Sequence, residues 1–143
     1  MNYHILTKDK LDSFVKGLAK KMKVYGPVAK GFNNFAFEEV ASAGEMALTY
    51  IPTILPPKKY FMPQREKLLD FDLTGGKPKD TAVVDAPEIA LFGVHTCDLA
   101  GIQSLNMVFG ERPRDYNYIL RKEKIFIIGL EKKERPGKYY PRY

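Results

Sequence analysis

Glu88-Ile-Ala-Leu-Phe-Gly-Val94, continued by His95-Thr96-Cys97-Asp98, decides the fold of this chain. The first seven residues form an almost unbroken apolar run, as in a strand covered on both faces. Residues 98–109 read as a helix. Ile125-Phe-Ile-Ile-Gly-Leu130 repeats the apolar run, and a short second helix over about 114–122 fits between them. Strand, helix and strand in that order predict a βαβ unit over 88–94, 98–109 and 125–130. Its strands are expected to be parallel and its crossover right-handed. Cys97 then lies at the carboxyl end of a parallel strand, where α/β folds place their sites.

Outward from this unit the pattern is mixed. Leu11, Phe14, Val15, Leu18 and Met22 recur at helical spacing within 8–23, with Lys10, Asp12, Lys16 and Lys20 on the other face and Thr7 as a plausible N-cap. Lys23-Val-Tyr25 begins an extended stretch that Gly26-Pro27 interrupts. Gly31 and Asn33-Asn34 mark a hairpin turn before a strand at 35–40. Residues 41–44 read as a loop, and 46–51 as a short strand or turn. The middle, Leu55-Pro-Pro-Lys-Lys-Tyr-Phe-Met-Pro-Gln-Arg-Glu-Lys-Leu-Leu-Asp-Phe-Asp72, is dense in proline, aromatics and charge. Its prolines disfavour a long helix, although a helical turn over 64–69 can start behind Pro63. Residues 75–80 form a polar loop. The expected fold class is α/β: a single domain over 1–130 with a central βαβ unit and a mixed sheet, followed by a basic tail over 131–143.

A chain of 143 residues suits one domain with a real core. No apolar run approaches the roughly 20 residues that cross a bilayer, and the start lacks the regions of a signal peptide. A cytoplasmic protein without membrane insertion is expected. A single cysteine leaves no intrachain disulfide to form. The net charge of +6 is dispersed except in the tail, whose five basic and two acidic side chains suit a solvated terminus or a docking strip. No nucleic-acid motif accompanies it.

Cys97 carries the most chemistry. A strand-to-helix junction turns free N–H groups and the positive end of a helix dipole towards a thiol, an environment that favours thiolate. Three readings follow: a buried structural cysteine, a metal or redox site shared with another domain, or nucleophilic catalysis with His95. His95 and Asp98 line the same site, and Asp98 also suits the first helical turn as a cap. Lys58, Lys59 and Arg65 surround Tyr60 and Phe61, a cluster that suits an anion or an acidic partner surface as well as a solvated rim on core aromatics. There is no Walker loop, no dinucleotide fingerprint and no zinc spacing. His4 stands alone in the sequence.

Lys23-Val-Tyr-Gly-Pro-Val28, the 55–72 segment, Phe92-Gly-Val-His-Thr-Cys-Asp-Leu-Ala-Gly-Ile102 and Ile127-Ile-Gly-Leu130, in this order, resemble the amino-terminal part of the iron–sulfur β-subunits of cytoplasmic sulfhydrogenases. The A-type component of anaerobic sulfite reductase is similar. In that family a cysteine-rich, ferredoxin-like region follows the last apolar strand and carries 4Fe–4S clusters between flavin and catalytic subunits; here the resemblance stops at Leu130. It implies an accessory or electron-transfer-associated domain of an anaerobic redox complex, without a complete activity of its own. The implied partners are iron–sulfur, flavin or hydrogenase-like subunits. No cofactor is expected on the isolated chain, with 4Fe–4S clusters in the partners or at a shared site to which Cys97 contributes a ligand. Pro56, Pro57, Lys58, Lys59, Arg65, His95, Cys97 and Asp98 match the family motifs, with Lys58, Lys59 and Arg65 expected at a partner or anion surface. Two other readings stand beside this one: a protein-interaction module, and a thiol enzyme using Cys97.

Overall fold

The computed structural model describes residues 6–130 except Lys77 and Arg112. Four strands form a mixed sheet in the order β2-β1-β5-β6: β1 (Lys23–Ala29), β2 (Phe35–Glu39), β5 (Ile89–His95) and β6 (Ile125–Leu130). β1 and β2 are antiparallel, while β1 with β5 and β5 with β6 are parallel. The expected α/β class, mixed sheet and parallel 88–94/125–130 pair are therefore observed. Helix α2 (Thr96–Gly110) and helix α3 (Tyr116–Glu123) link β5 to β6. Asp115 starts α3, its carboxylate accepting from the Tyr118 N–H at 2.9 Å.

Every residue of β5 is buried, because the sheet is covered on both faces. On one face Val15, Val24, Val40, Ala90 and Phe92 form a core beneath helix α1 (Leu11–Ala19). On the other, Phe37, Tyr50, Phe61, Ile89, Leu91, Val94, Ile102, Tyr118 and Ile125 pack between the sheet, α2, α3 and the 50–61 segment. Leu11, Val15 and Leu18 of the predicted stripe meet the first core, but the helix is shorter than expected. Residues 8–10 form a 3₁₀ turn instead, and Thr7 makes no side-chain capping bond.

Two local expectations are corrected. Gly26-Pro27 does not interrupt β1. Pro27, with no N–H to donate, lies beyond the last β1 residue that pairs with β5, so the ladder loses nothing there. Its carbonyl accepts from the Ala47 N–H at 2.7 Å. At Gly26 a Cβ would fall 2.5 Å from the Met46 sulfur, so a larger residue there makes the flexible Met46 side chain move. Residues 64–69 do not form a helical turn. Leu69 instead opens a hairpin that the sequence pattern does not announce, made of β3 (Leu69–Asp72) and β4 (Lys79–Ala82). The 75–80 loop is shortened accordingly, and 46–51 is a turn rather than a strand. The turn at Gly31 and Asn33-Asn34 is observed, with Gly31 (φ 129°) and Asn33 (φ 56°) in positive-φ conformations that those residue types tolerate. The 131–143 tail and His4 lie outside the described residues.

Candidate functional site

The carboxyl end of β5 is built around an irregularity. Gly93 adopts φ 82°, and the pairing with β6 shifts register between Phe92 and Val94. Glycine suits this bulge because the positive-φ backbone is strained for other residues; a side chain's Cβ would meet Leu48 and Pro27 only at ordinary contact distance, 3.4 Å. Tyr50, fully buried, donates its hydroxyl to the Gly93 carbonyl at 2.9 Å. The Tyr50 ring stacks on the His95 imidazole, centroids 3.9 Å apart and 11° from parallel. His95 thus ends β5 and starts α2 with its ring plane held by a tyrosine that is itself tied to the strand.

Cys97 and Asp98 occupy the first turn of α2. Cys97 is exposed, which removes the buried structural reading of this thiol. Asp98 is half-buried, and burial raises its carboxyl above the ordinary aspartate value while the charge of Lys58 opposes that rise. Each of His95, Cys97 and Asp98 offers one ligand atom, and these atoms lie within 4.8 Å of one another. An imidazole, a thiol and a carboxylate so close, on the last residue of a strand and the first turn of a helix, can together bind a metal ion.

The basic motif divides. Pro57–Tyr60 forms a 3₁₀ turn beside α2. Lys58 is exposed and lies close enough to Asp98 for their charges to interact. Lys59 donates to the Phe37 carbonyl at 3.1 Å, which also accepts from the Tyr60 hydroxyl at 2.9 Å. Burial lowers the Lys59 ammonium and raises the Tyr60 phenol from their ordinary values. Arg65 stands apart. It lines a cavity of about 160 Å³ with Tyr60, Asp85, Pro87, Ile89 and Arg121, at the amino end of β5. Lys58 and Arg65 therefore serve opposite ends of the sheet.

Arg121 has no place in the motifs that the sequence offers. It is 4% exposed, and donates to the Phe61 carbonyl at 2.6 Å, to the Asp85 carbonyl at 3.2 Å and to the Glu66 carboxylate. It fastens the 57–66 segment, and with it Lys58, against α3. Tyr50 is equally silent in the sequence. Neither carries a local signal, since their partners lie 36 to 60 residues away for Arg121 and 43 for Tyr50.

The chain is 37% identical over 130 residues to sulfhydrogenase 2 subunit beta of Pyrococcus furiosus. The chain is similar to a sulfhydrogenase β subunit. The match covers 91% of this chain and 37% of that relative, so the chain spans little more than a third of the relative's length. A stretch of 130 among 143 residues takes in both the proline–lysine motif at 55–65 and the histidine–cysteine motif at 92–102. No family model matches the chain, and no solved structure does. The resemblance to a sulfhydrogenase β subunit noted from those motifs is thereby confirmed. Its expected 4Fe–4S clusters do not fit this chain alone: four thiolates usually hold one, and the chain has one cysteine.

Proposed function

We propose that the chain is an accessory, electron-transfer-associated domain of a sulfhydrogenase-type redox assembly, without a complete reaction of its own. The likeness to a sulfhydrogenase β subunit carries this reading. Anaerobic metabolism, a cytoplasmic location and kinship to the A-type component of anaerobic sulfite reductase belong to the same proposal. Iron–sulfur, flavin or hydrogenase-like subunits are its partners, and they hold the 4Fe–4S clusters, or Cys97 joins a cluster completed by their thiolates. The exposed side of the site suits such docking. Lys58 and Cys97 face solvent at the carboxyl end of the sheet, and the β1–β2 turn at that end presents Phe32 at 92% exposure. Charge-assisted contacts with Lys58 would orient an acidic partner, and apolar side chains would supply area.

The test is anaerobic co-expression of the tagged chain with the other subunits of a sulfhydrogenase from the same organism. Recovery of a stoichiometric complex is expected, with affinity falling as salt rises. Lys58→Ala should weaken capture, and Arg65→Ala, at the other end of the sheet, should weaken it less. Failure to recover any redox subunit would refute the assignment. Equal loss with both variants would move the docking surface away from the carboxyl end.

A further inference from the structure

We propose that His95, Cys97 and Asp98 form a mononuclear site for a divalent ion of the zinc class, with the fourth position open to water or to a partner's donor. The site is a property of the isolated chain and stands apart from the docking role. Zinc binds thiolate at about 2.3 Å and imidazole or carboxylate at about 2.0–2.2 Å, so its tetrahedral donors lie roughly 3.3–3.6 Å apart. The three donor atoms are within 4.8 Å of one another, a gap that small side-chain rotations close.

The setting is also built for binding. A metal site needs donors held in place before the ion arrives. The Tyr50 ring at 3.9 Å sets the plane of the His95 imidazole, and the Tyr50 hydroxyl bond to Gly93 sets the ring of Tyr50. The positive-φ bulge at Gly93 puts that carbonyl where Tyr50 meets it. Cys97 is exposed, which opens a path for the ion, while Asp98 is half-buried on the next residue of the helix. Thiolate and carboxylate supply two negative charges, which match a divalent cation. Lys58 is the cation whose charge acts on Asp98, and the metal would compete with it there. Donor chemistry selects the ion: a thiolate and an imidazole favour zinc, cobalt(II) or iron(II) over magnesium or calcium, which prefer all-oxygen shells. Three protein ligands with one open position is the arrangement of a reactive rather than a purely structural zinc site.

The experiment titrates the full-length chain, stripped with chelator and kept reduced and anaerobic, with cobalt(II) as a spectroscopic stand-in. One equivalent should bind, giving a thiolate-to-cobalt charge-transfer band and the visible bands of tetrahedral cobalt, both bleached by zinc. Cys97→Ser should abolish the charge-transfer band with circular dichroism unchanged, because the side chain is exposed. Asp98→Asn should weaken binding by more than the roughly 10–100-fold that outer-shell changes cost. His4→Ala, which removes the chain's other imidazole, should leave the titration unchanged. Absence of the band in the parent chain, or its persistence in Cys97→Ser, would overturn the site. Iron and sulfide bound at Cys97 only when redox subunits are present, with no cobalt taken up by the chain alone, would overturn it in favour of a shared cluster. Cobalt binding without capture of redox subunits would leave the metal site standing and the docking assignment failed.

Discussion

Asp12 shows how much one exposed carboxylate can organise. It sits in the first turn of α1, pairs with Lys16 at 2.6 Å and accepts the Ala43 N–H at 3.0 Å. The Lys16 ammonium and the Ala43 N–H hold its carboxyl below the ordinary aspartate value, the hydrogen bond from Lys16 contributing most. A carboxyl depressed in the folded state contributes stability above its unfolded value, and that contribution is lost as pH falls through the lower folded value. Asp12→Ala should therefore be less stable than the parent at neutral pH. The two should converge as pH drops well below the ordinary aspartate range. Urea midpoints across a pH series measure this; a constant difference at all pH values would assign the effect to helix packing instead.

Among the elements, α3 is tied to the 57–66 segment through Arg121, while Tyr118 of the same helix packs in the core. Removing the guanidinium leaves the carbonyls of Phe61 and Asp85 and the Glu66 carboxylate without their donor. Arg121→Met should cost about 3 kcal/mol, the upper end for leaving buried acceptors such as the Phe61 carbonyl without a donor. Glu66→Gln keeps an acceptor in place and should cost about 1 kcal/mol. Chemical denaturation of both variants checks the ratio, and near-equal losses would show that the ion pair rather than the carbonyl contacts holds the segment. The same residues mark where the sequence was legible. The run in β5 read correctly because a strand buried on both faces needs little besides apolar side chains; the like run in β6 also forms a strand, but at the edge of the sheet, where Phe126 is 53% exposed. Gly26-Pro27 misled because proline breaks a ladder only where its N–H is required, and pairing with β5 has ended before Pro27. Residues 64–69 misled because Pro63 and the charged side chains suit a helix start, while Arg121 draws Glu66 away and Leu69 enters β3. At the site, the adjacency of His95, Cys97 and Asp98 was visible in the motif. The stacking of Tyr50 was not, because it depends on a turn 43 residues before Gly93.

At the scale of the molecule, the β3–β4 hairpin differs from the rest. All eight of its residues are exposed, and it forms a two-stranded sheet of its own. Leu69 and Phe71 lie on one face at 45% and 63% exposure, opposite Ala82 and Asp80. An isolated two-stranded hairpin is marginal in water, since it has little core to cover. Backbone amides of β3 and β4 should exchange with deuterium much faster than those of β5, whose every residue is buried. Mass-spectrometric exchange on the isolated chain tests this, and equal protection would mean that self-association covers the hairpin. No helix among the described residues is long and apolar enough to cross a membrane.

The bulge at Gly93 also bears on how this chain tolerates changes in length. Ile89 and Leu91 face one core and Ala90 and Phe92 the other, as alternation demands, yet Val94 returns to the face of Ile89 and Leu91. The additional residue resets the phase of the strand. Deleting Gly93 would restore strict alternation by number, but leave Tyr50 without its carbonyl partner and draw the His95–Asp98 junction one residue back along the sheet. A deletion scan scored by soluble yield should therefore fall to a sharp minimum at Gly93, while deletions in the Gly75-Gly76 turn pass with little loss. Within a lineage of such chains, insertions and deletions should fall in the turns, and the spacing from Gly93 to Cys97 should be held as a unit.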